Sequence, residues 1–263
     1  MTHPSFFGAP ENTLFGFGHP PQKQNGNTAV LLCYPLGQEY IRLYRSYKLI
    51  AEQLSKMGAY VFRFDYYGTG DSHGEIEDCK LEDWVDNINA AIEELKLKSG
   101  LDSVNIISAR LGANLTAKVA KERSDIDNLI CLDPIHDGRE YVTNLQKTHN
   151  AMLCDPDRFG KVRTIDECFQ NEIIGFRYSS QLIEEFEGLS DSDLYNANCN
   201  NLYLIDSNNN KFLKEIENSE KTSANKCIYN QFDTVFCWSD VSQIETTISL
   251  QEIVSYIKSK LIR

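Results

Sequence analysis

The stretch Ser103–Ala117 confines the fold of this chain more than any other. It reads Ser-Val-Asn-Ile-Ile-Ser-Ala-Arg-Leu-Gly-Ala-Asn-Leu-Thr-Ala. Val104–Ile107 is a short apolar run suited to a buried strand. From Leu111 onward the spacing is helical, with small residues at Gly112 and Ala113. Only a tight turn centred on Arg110 separates the two. A strand passing so abruptly into a helix is a joint of alternating β/α architecture.

The rest of the chain repeats that alternation. Phe6, Phe7, Phe15 and Phe17 alternate with glycines over 5–18, enough for one or two edge strands. Thr28–Tyr34 is a continuous apolar run and a buried strand, ending at Pro35-Leu36-Gly37-Gln38. Helical spacing at Ile41, Tyr44, Leu49, Ile50 and Leu54 predicts a helix over 39–57, stopped by Gly58. Ala59–Phe64 is a strand, followed by a glycine-rich loop from Asp65 to Ser72. An acidic amphipathic helix follows over 80–98, with Leu81, Trp84, Val85, Ile88, Ile92 and Leu95 on one face. After the joint and a helix over 111–122, Leu129–Leu132 is a strand leading to Asp133-Pro134. Repeated alternation with short connections predicts a parallel sheet with helices on both faces.

That rhythm breaks after Asp137. Up to about Asn198 the sequence shows no clear strand but several helical segments: Arg139–Leu153, Ile165–Asn171 and Ser179–Phe186. A helical cap is expected over 137–198, above the carboxyl ends of the strands where ligands bind in such sheets. The core is then 1–136 with 199–263. It resumes with a strand over 201–205, helices over 211–217 and 241–262, and a strand over 226–230.

Composition narrows the function. Net charge is −12, which argues against nucleic acid and against anionic membrane surfaces. No run approaches the roughly 20 apolar residues of a membrane span. Eight cysteines include no C-x-x-C pair, so no zinc site is expected. A cytoplasmic protein with reduced cysteines, needing neither metal nor cofactor, is the expectation.

In order and spacing, several pieces resemble the α/β-hydrolase family, and within it the serine-aminopeptidase-like branch of exosortase-A-system-associated hydrolases. They are Pro35-Leu36-Gly37-Gln38-Glu39, the Asp65–Gly74 loop with its Gly-Asp-Ser-x-Gly, Trp84, and Arg110-Leu111-Gly112-Ala113. Asp133-Pro134-x-x-Asp137-Gly138-Arg139, Gly175-Phe176-Arg177-Tyr178 and Phe236-Cys237-Trp238 complete the set. The resemblance implies an α/β fold with a mostly parallel sheet and an inserted cap. It makes Ser108-Ala109-Arg110-Leu111-Gly112 the G-x-S-x-G nucleophile elbow, with arginine where the nucleophile belongs. A second branch of that subfamily is similar in carrying arginine there. The resemblance also implies a biosynthetic setting alongside acyl-activating enzymes.

A guanidinium stays protonated and cannot attack a carbonyl. The family places its histidine after the last strand, and Gln231–Asp240 contains none; the five histidines are His3, His19, His73, His136 and His149. Losing one essential member of a triad costs on the order of 10⁶-fold. Standard serine hydrolysis is therefore not expected.

Several residues remain candidates. Arg110, at a helix N-terminus beneath the cap, could hold a carboxylate, phosphate or developing oxyanion. It could equally form a buried ion pair with Asp133 or Asp137. His136 could be a displaced base oriented by Asp133 or Asp137, or a surface histidine. Leu36 and Gly37, with Leu111, stand where such folds offer backbone N–H groups to an oxyanion. His73 reads as structural, and Asp206 with Asn208 as a cap for the next helix. Cys33, flanked by apolar residues, is no substitute nucleophile.

Three functions stay open. One is a non-hydrolytic protein holding an acyl or anionic ligand, with an acyl carrier protein or a second hydrolase as partner. Another is an ester or thioester hydrolase or acyltransferase using Arg110, His136 and Asp133. The last is a structural subunit whose pocket is filled by its own side chains.

Overall fold

The structure is a computed structural model, described here for residues 2–23, 26–159, 171–207, 210–219, 221–232, 238 and 251–261. Strands β1 (His3–Phe7), β2 (Leu14–His19), β3 (Thr28–Cys33), β4 (Ala59–Asp65), β5 (Val104–Ala109) and β6 (Ile126–Leu132) come before the cap. Helices α1 (Gly37–Met57), α2 (Leu81–Ser99) and α3 (Leu111–Lys121) alternate with the later of them. After the cap come β9 (Asn201–Asp206), α8 (Lys211–Glu217), β10 (Lys226–Gln231) and α9 (Gln251–Leu261). Of the closing helix expected over 241–262, residues 241–250 and 262 lie outside the described residues.

These strands form one eight-stranded sheet in the order β1-β2-β4-β3-β5-β6-β9-β10. The β1–β2 and β2–β4 pairs are antiparallel and the rest are parallel. The central strands β3 and β5 are almost wholly buried, because helices cover both faces of the sheet. Their apolar runs are continuous rather than alternating for that reason.

Two glycines shape the ends of these helices, Gly58 after α1 and Gly112 beside the joint. Gly58 ends α1 in the left-handed region at φ 111°, its N–H bonding the carbonyls of Leu54 and Ser55. Gly112 lets α3 press against the end of β3: a β-carbon there would lie 2.3 Å from the Tyr34 carbonyl oxygen.

The segment expected as a cap contains α4 (Gly138–Leu153), α5 (Pro156–Phe159), α6 (Ser180–Glu187) and α7 (Ser192–Asn196). Two strands were not expected there. β7 (Glu172–Ile173) and β8 (Phe176–Arg177) form a short hairpin turning through Ile174 and Gly175, at φ 50° and 82°. Strands of two residues carry no readable periodicity, which is why the sequence does not announce them. The helix expected over 165–171 lies outside the described residues except for Asn171. Asp137 and Ser179 cap α4 and α6, accepting hydrogen bonds from the Glu140 and Leu182 N–H groups. α7 lies against α3 of the core.

Candidate functional site

Arg110 stands between β5 and α3 at φ 52° and ψ −130°. A residue with a β-carbon avoids this region, and holding one there costs about 1–3 kcal/mol. It is a strained strand-to-helix turn, the geometry that the resemblance implies for an elbow. The side chain it presents is already engaged. Arg110 Nε donates to Glu39 Oε1 at 2.9 Å, and Nη1 donates to the Asp133 carbonyl at 2.9 Å. The guanidinium carbon lies 5.5 Å from the ring centre of Tyr141 and 5.7 Å from that of Trp238. The Tyr141 hydroxyl donates to the other Glu39 oxygen at 3.3 Å.

Glu39 is only 1% exposed. Burial alone would lower the Arg110 pKa, but the Glu39 carboxylate, aided by Tyr141 and Asp133, outweighs it and holds the value above the ordinary one. The guanidinium is thus permanently charged and locally neutralised. Among the described residues, its Nη2 has no hydrogen-bond acceptor.

The expected ion pair of Arg110 with Asp133 or Asp137 is corrected by this geometry. Asp133 offers Arg110 its backbone carbonyl, not its carboxylate. With φ 44° at the end of β6, its side chain turns toward β9 and its following loop. There Oδ1 accepts the Ser207 N–H at 2.7 Å, and Oδ2 accepts the Ser207 hydroxyl and the Trp238 indole N–H, the latter at 2.8 Å. Burial raises the Asp133 pKa, against the lowering effect of Ser207, Arg110 and Trp238. Asp137 is the exposed N-cap of α4, and its carboxylate accepts the Glu140 N–H rather than pairing with Arg110.

His136 is also placed differently from its proposed catalytic pairing. Its Nδ1 lies 3.1 Å from Asp191 Oδ2, and its ring stacks on Phe212 at 4.1 Å. Half exposed, it pairs with neither Asp133 nor Asp137. The following Ile135–His136 backbone is instead pinned through Ile135, whose N–H and carbonyl bond the Asn114 side chain.

Other assignments fit the sequence reading. His73 packs edge-on against Tyr67 while its backbone ties the loop to Thr13 and Gly68. Asp206 differs in detail from the expected cap: Asn210 is the N-cap of α8, and Asp206 accepts its N–H and the Tyr229 hydroxyl. Asn208 lies outside the described residues. Cys33 is fully buried, which pushes its thiol pKa up and leaves it unreactive. Leu36 is the N-cap of α1, and Gly37 and Leu111 are the first residues of α1 and α3. First-turn N–H groups have no partner within their own helix. No cluster of three metal-binding side chains occurs among the described residues.

A cleft of about 440 Å³ opens between the start of α1, the 68–77 loop and the cap hairpin. Its lining includes Gly37, Tyr40, Ile41, Glu75, Phe176 and Arg177. Glu39, Tyr141, Tyr178 and Trp238 are the residues that sequence reasoning missed around this site. Glu39 was visible inside the Pro35–Glu39 piece. Its signal is a carboxylate directly after a tight turn and in the first turn of a helix whose inward face it shares.

Comparison with known proteins agrees with this architecture. Residues 39–160 match the model of the family described as serine aminopeptidase, S33. Among curated proteins, none matches the sequence. Est1E of Butyrivibrio proteoclasticus, solved with ferulic acid bound, is 16% identical, with TM-score 0.63 over 98% of this chain and 99% of its own. An esterase of Pyrococcus furiosus is 15% identical, with TM-score 0.64 over 99% and 88%. The proline iminopeptidase of Mycobacterium smegmatis is 12% identical, with TM-score 0.62 over 98% and 97%. The shared feature is the α/β-hydrolase fold. No helix among the described residues is long and apolar enough to cross a membrane.

Proposed function

We propose that this chain, which has the α/β-hydrolase fold, is a non-hydrolytic protein that binds an acyl or anionic ligand beneath its cap in a biosynthetic pathway. The observation that carries the reading is Arg110 in the nucleophile's backbone geometry, with its guanidinium clasped by Glu39 and the Asp133 carbonyl. A serine triad needs a nucleophile, a base beside it and an orienting acid. Here the first position is a cation, and the buried carboxylate of Asp133 faces Ser207 and Trp238 instead of a histidine. What remains is a strand-end cleft beside the N-terminus of α1, which suits binding. Ferulic acid bound to Est1E is a precedent for an acyl-type ligand on this fold. An acyl carrier protein or a second hydrolase is the partner that such a role would bring.

Turnover of aryl esters and acyl thioesters, wild type beside Arg110→Ala, tests the reading. No turnover in either is expected, together with saturable binding of acyl compounds. Turnover that disappears in Arg110→Ala would overturn it in favour of relocated catalysis.

A further inference from the structure

A second hollow, of about 530 Å³, lies between α4, α6 and β7. Helical spacing turns one face of α6 toward it: Ile183, Glu184 and Glu187 line it, while Leu182 and Phe186 are buried. The hairpin separates it from the cleft beside α1. Glu172 and Ile173, before the turn, line the hollow, whereas Gly175, Phe176 and Arg177 line the cleft.

His149 reaches the hollow from α4 and is only 7% exposed. Its Nδ1 accepts the Ile174 N–H at 3.0 Å, which holds the turn of the hairpin onto α4. A ring nitrogen that accepts carries no proton, so the hydrogen of the neutral ring sits on Nε2. That N–H is left to the hollow, with no acceptor among the described residues. The bond to Ile174 accounts for one nitrogen of this ring and leaves the other without a task.

Glu172, Glu184 and Glu187 put three carboxylates around the same hollow. Their side chains have no ion-pair or hydrogen-bond partner among the described residues. Arg177 stands opposite Glu172 in the hairpin register but lines the cleft instead. No lysine or arginine among the described residues lines the hollow. Like charges one turn apart on a helix face, as at Glu184 and Glu187, work against the helix, so stability does not explain them.

We propose that this hollow binds an aliphatic amine bearing a hydroxyl or ether oxygen on a neighbouring carbon, the arrangement of an amino sugar. The ammonium lies among Glu172, Glu184 and Glu187, and the oxygen accepts the His149 Nε2–H. The carboxylates repel an acid, and an uncharged alcohol leaves them unpaired. A bare metal ion has no use for an N–H donor, and no cluster of three metal-binding side chains occurs among the described residues. Ile173 and Ile183 supply apolar surface for the carbon frame. The site is independent of the acyl-binding reading.

The test titrates the whole protein calorimetrically with glucosamine, with glucose, which lacks the charge, and with cyclohexylamine, which lacks the oxygen. Mildly acidic buffer keeps both amines protonated. Glucosamine is expected to bind at least about fivefold tighter than either control. Glu184→Gln, at an exposed position, should weaken both amines about two- to fivefold. His149→Asn keeps an acceptor for the Ile174 N–H and removes the Nε2–H. It should weaken glucosamine about two- to tenfold and leave cyclohexylamine unchanged. Glu77→Gln, in the cleft, should leave glucosamine binding as it is. Glucosamine binding no tighter than either control, or unchanged in Glu184→Gln, would overturn the proposal. So would a loss in Glu77→Gln, which would put the amine in the cleft. In a His149→Asn protein with an unchanged thermal midpoint, unaltered glucosamine affinity would overturn it too. Should that midpoint fall, the comparison of Glu184→Gln with Glu77→Gln decides.

Discussion

Glu39 and Arg110 are 71 residues apart in sequence, yet their side chains meet at 2.9 Å where α1 and α3 begin. The pair joins the starts of two helices at the strained turn after β5. A buried pair of this kind contributes little net stability while intact, because desolvating both charges cancels much of the attraction. Breaking one half is different.

Glu39→Gln leaves a largely buried guanidinium without its counter-charge. The expected cost is about 3–5 kcal/mol in denaturant unfolding. Combining it with Arg110→Met removes both charges and should recover part of that loss. A double variant as unstable as the sum of the two single variants would show that the pair is not coupled.

Restoring serine at the elbow should not restore hydrolysis. The structure describes all five histidines, and the partners of Arg110 include none of them. Arg110→Ser is expected to turn over an aryl ester no faster than Arg110→Ala. A clear excess in the serine variant would reveal a base that the geometry does not show.

His19 gives the fold a dependence on acid. Arg63 Nε donates to His19 Nε2 at 3.1 Å, a bond that requires an unprotonated nitrogen. Burial, with Arg63 and Lys48, lowers the His19 pKa to about 4. In the unfolded chain the same histidine titrates near pH 6.5. Between those values the unfolded state takes up a proton that the folded state refuses. Stability from this group is therefore complete above about pH 6.5 and falls as the pH drops toward 4, by up to about 3 kcal/mol. His19→Gln, which can still accept from Arg63, should flatten that part of the stability–pH curve.

Gly112→Ala tests the close approach of α3 to β3. The added methyl would sit 2.3 Å from a backbone oxygen, which cannot rotate away. A loss of about 1–3 kcal/mol is expected from thermal unfolding. Unchanged stability would mean that the helix can shift without penalty.

Most of the core was legible because burial on both faces writes itself as apolar runs and glycine stops. The strand at 104–109, its turn and α3 were read almost to the residue. The identity of Arg110's partner was not. Spacing shows which residues share a face, but it does not say which of several carboxylates a long side chain will reach. Asp133 was the plausible choice until its φ of 44° turned the carboxylate away. For His136 the sequence left a displaced base and a surface histidine both open. It sits at a strand's carboxyl end, yet Phe212 and Asp191, both remote in sequence, draw its ring away from Asp133. The β7–β8 hairpin was simply too short to carry a pattern.

The bend at Arg110 has a further meaning. Its unfavourable backbone surrounds a side chain that cannot act as a nucleophile, so covalent chemistry does not account for it. The chain passes from β5 into α3 at this single residue, with Gly112 next to it packed against the Tyr34 carbonyl. The elbow is thus a mechanical mount, and its tip is an interchangeable fitting.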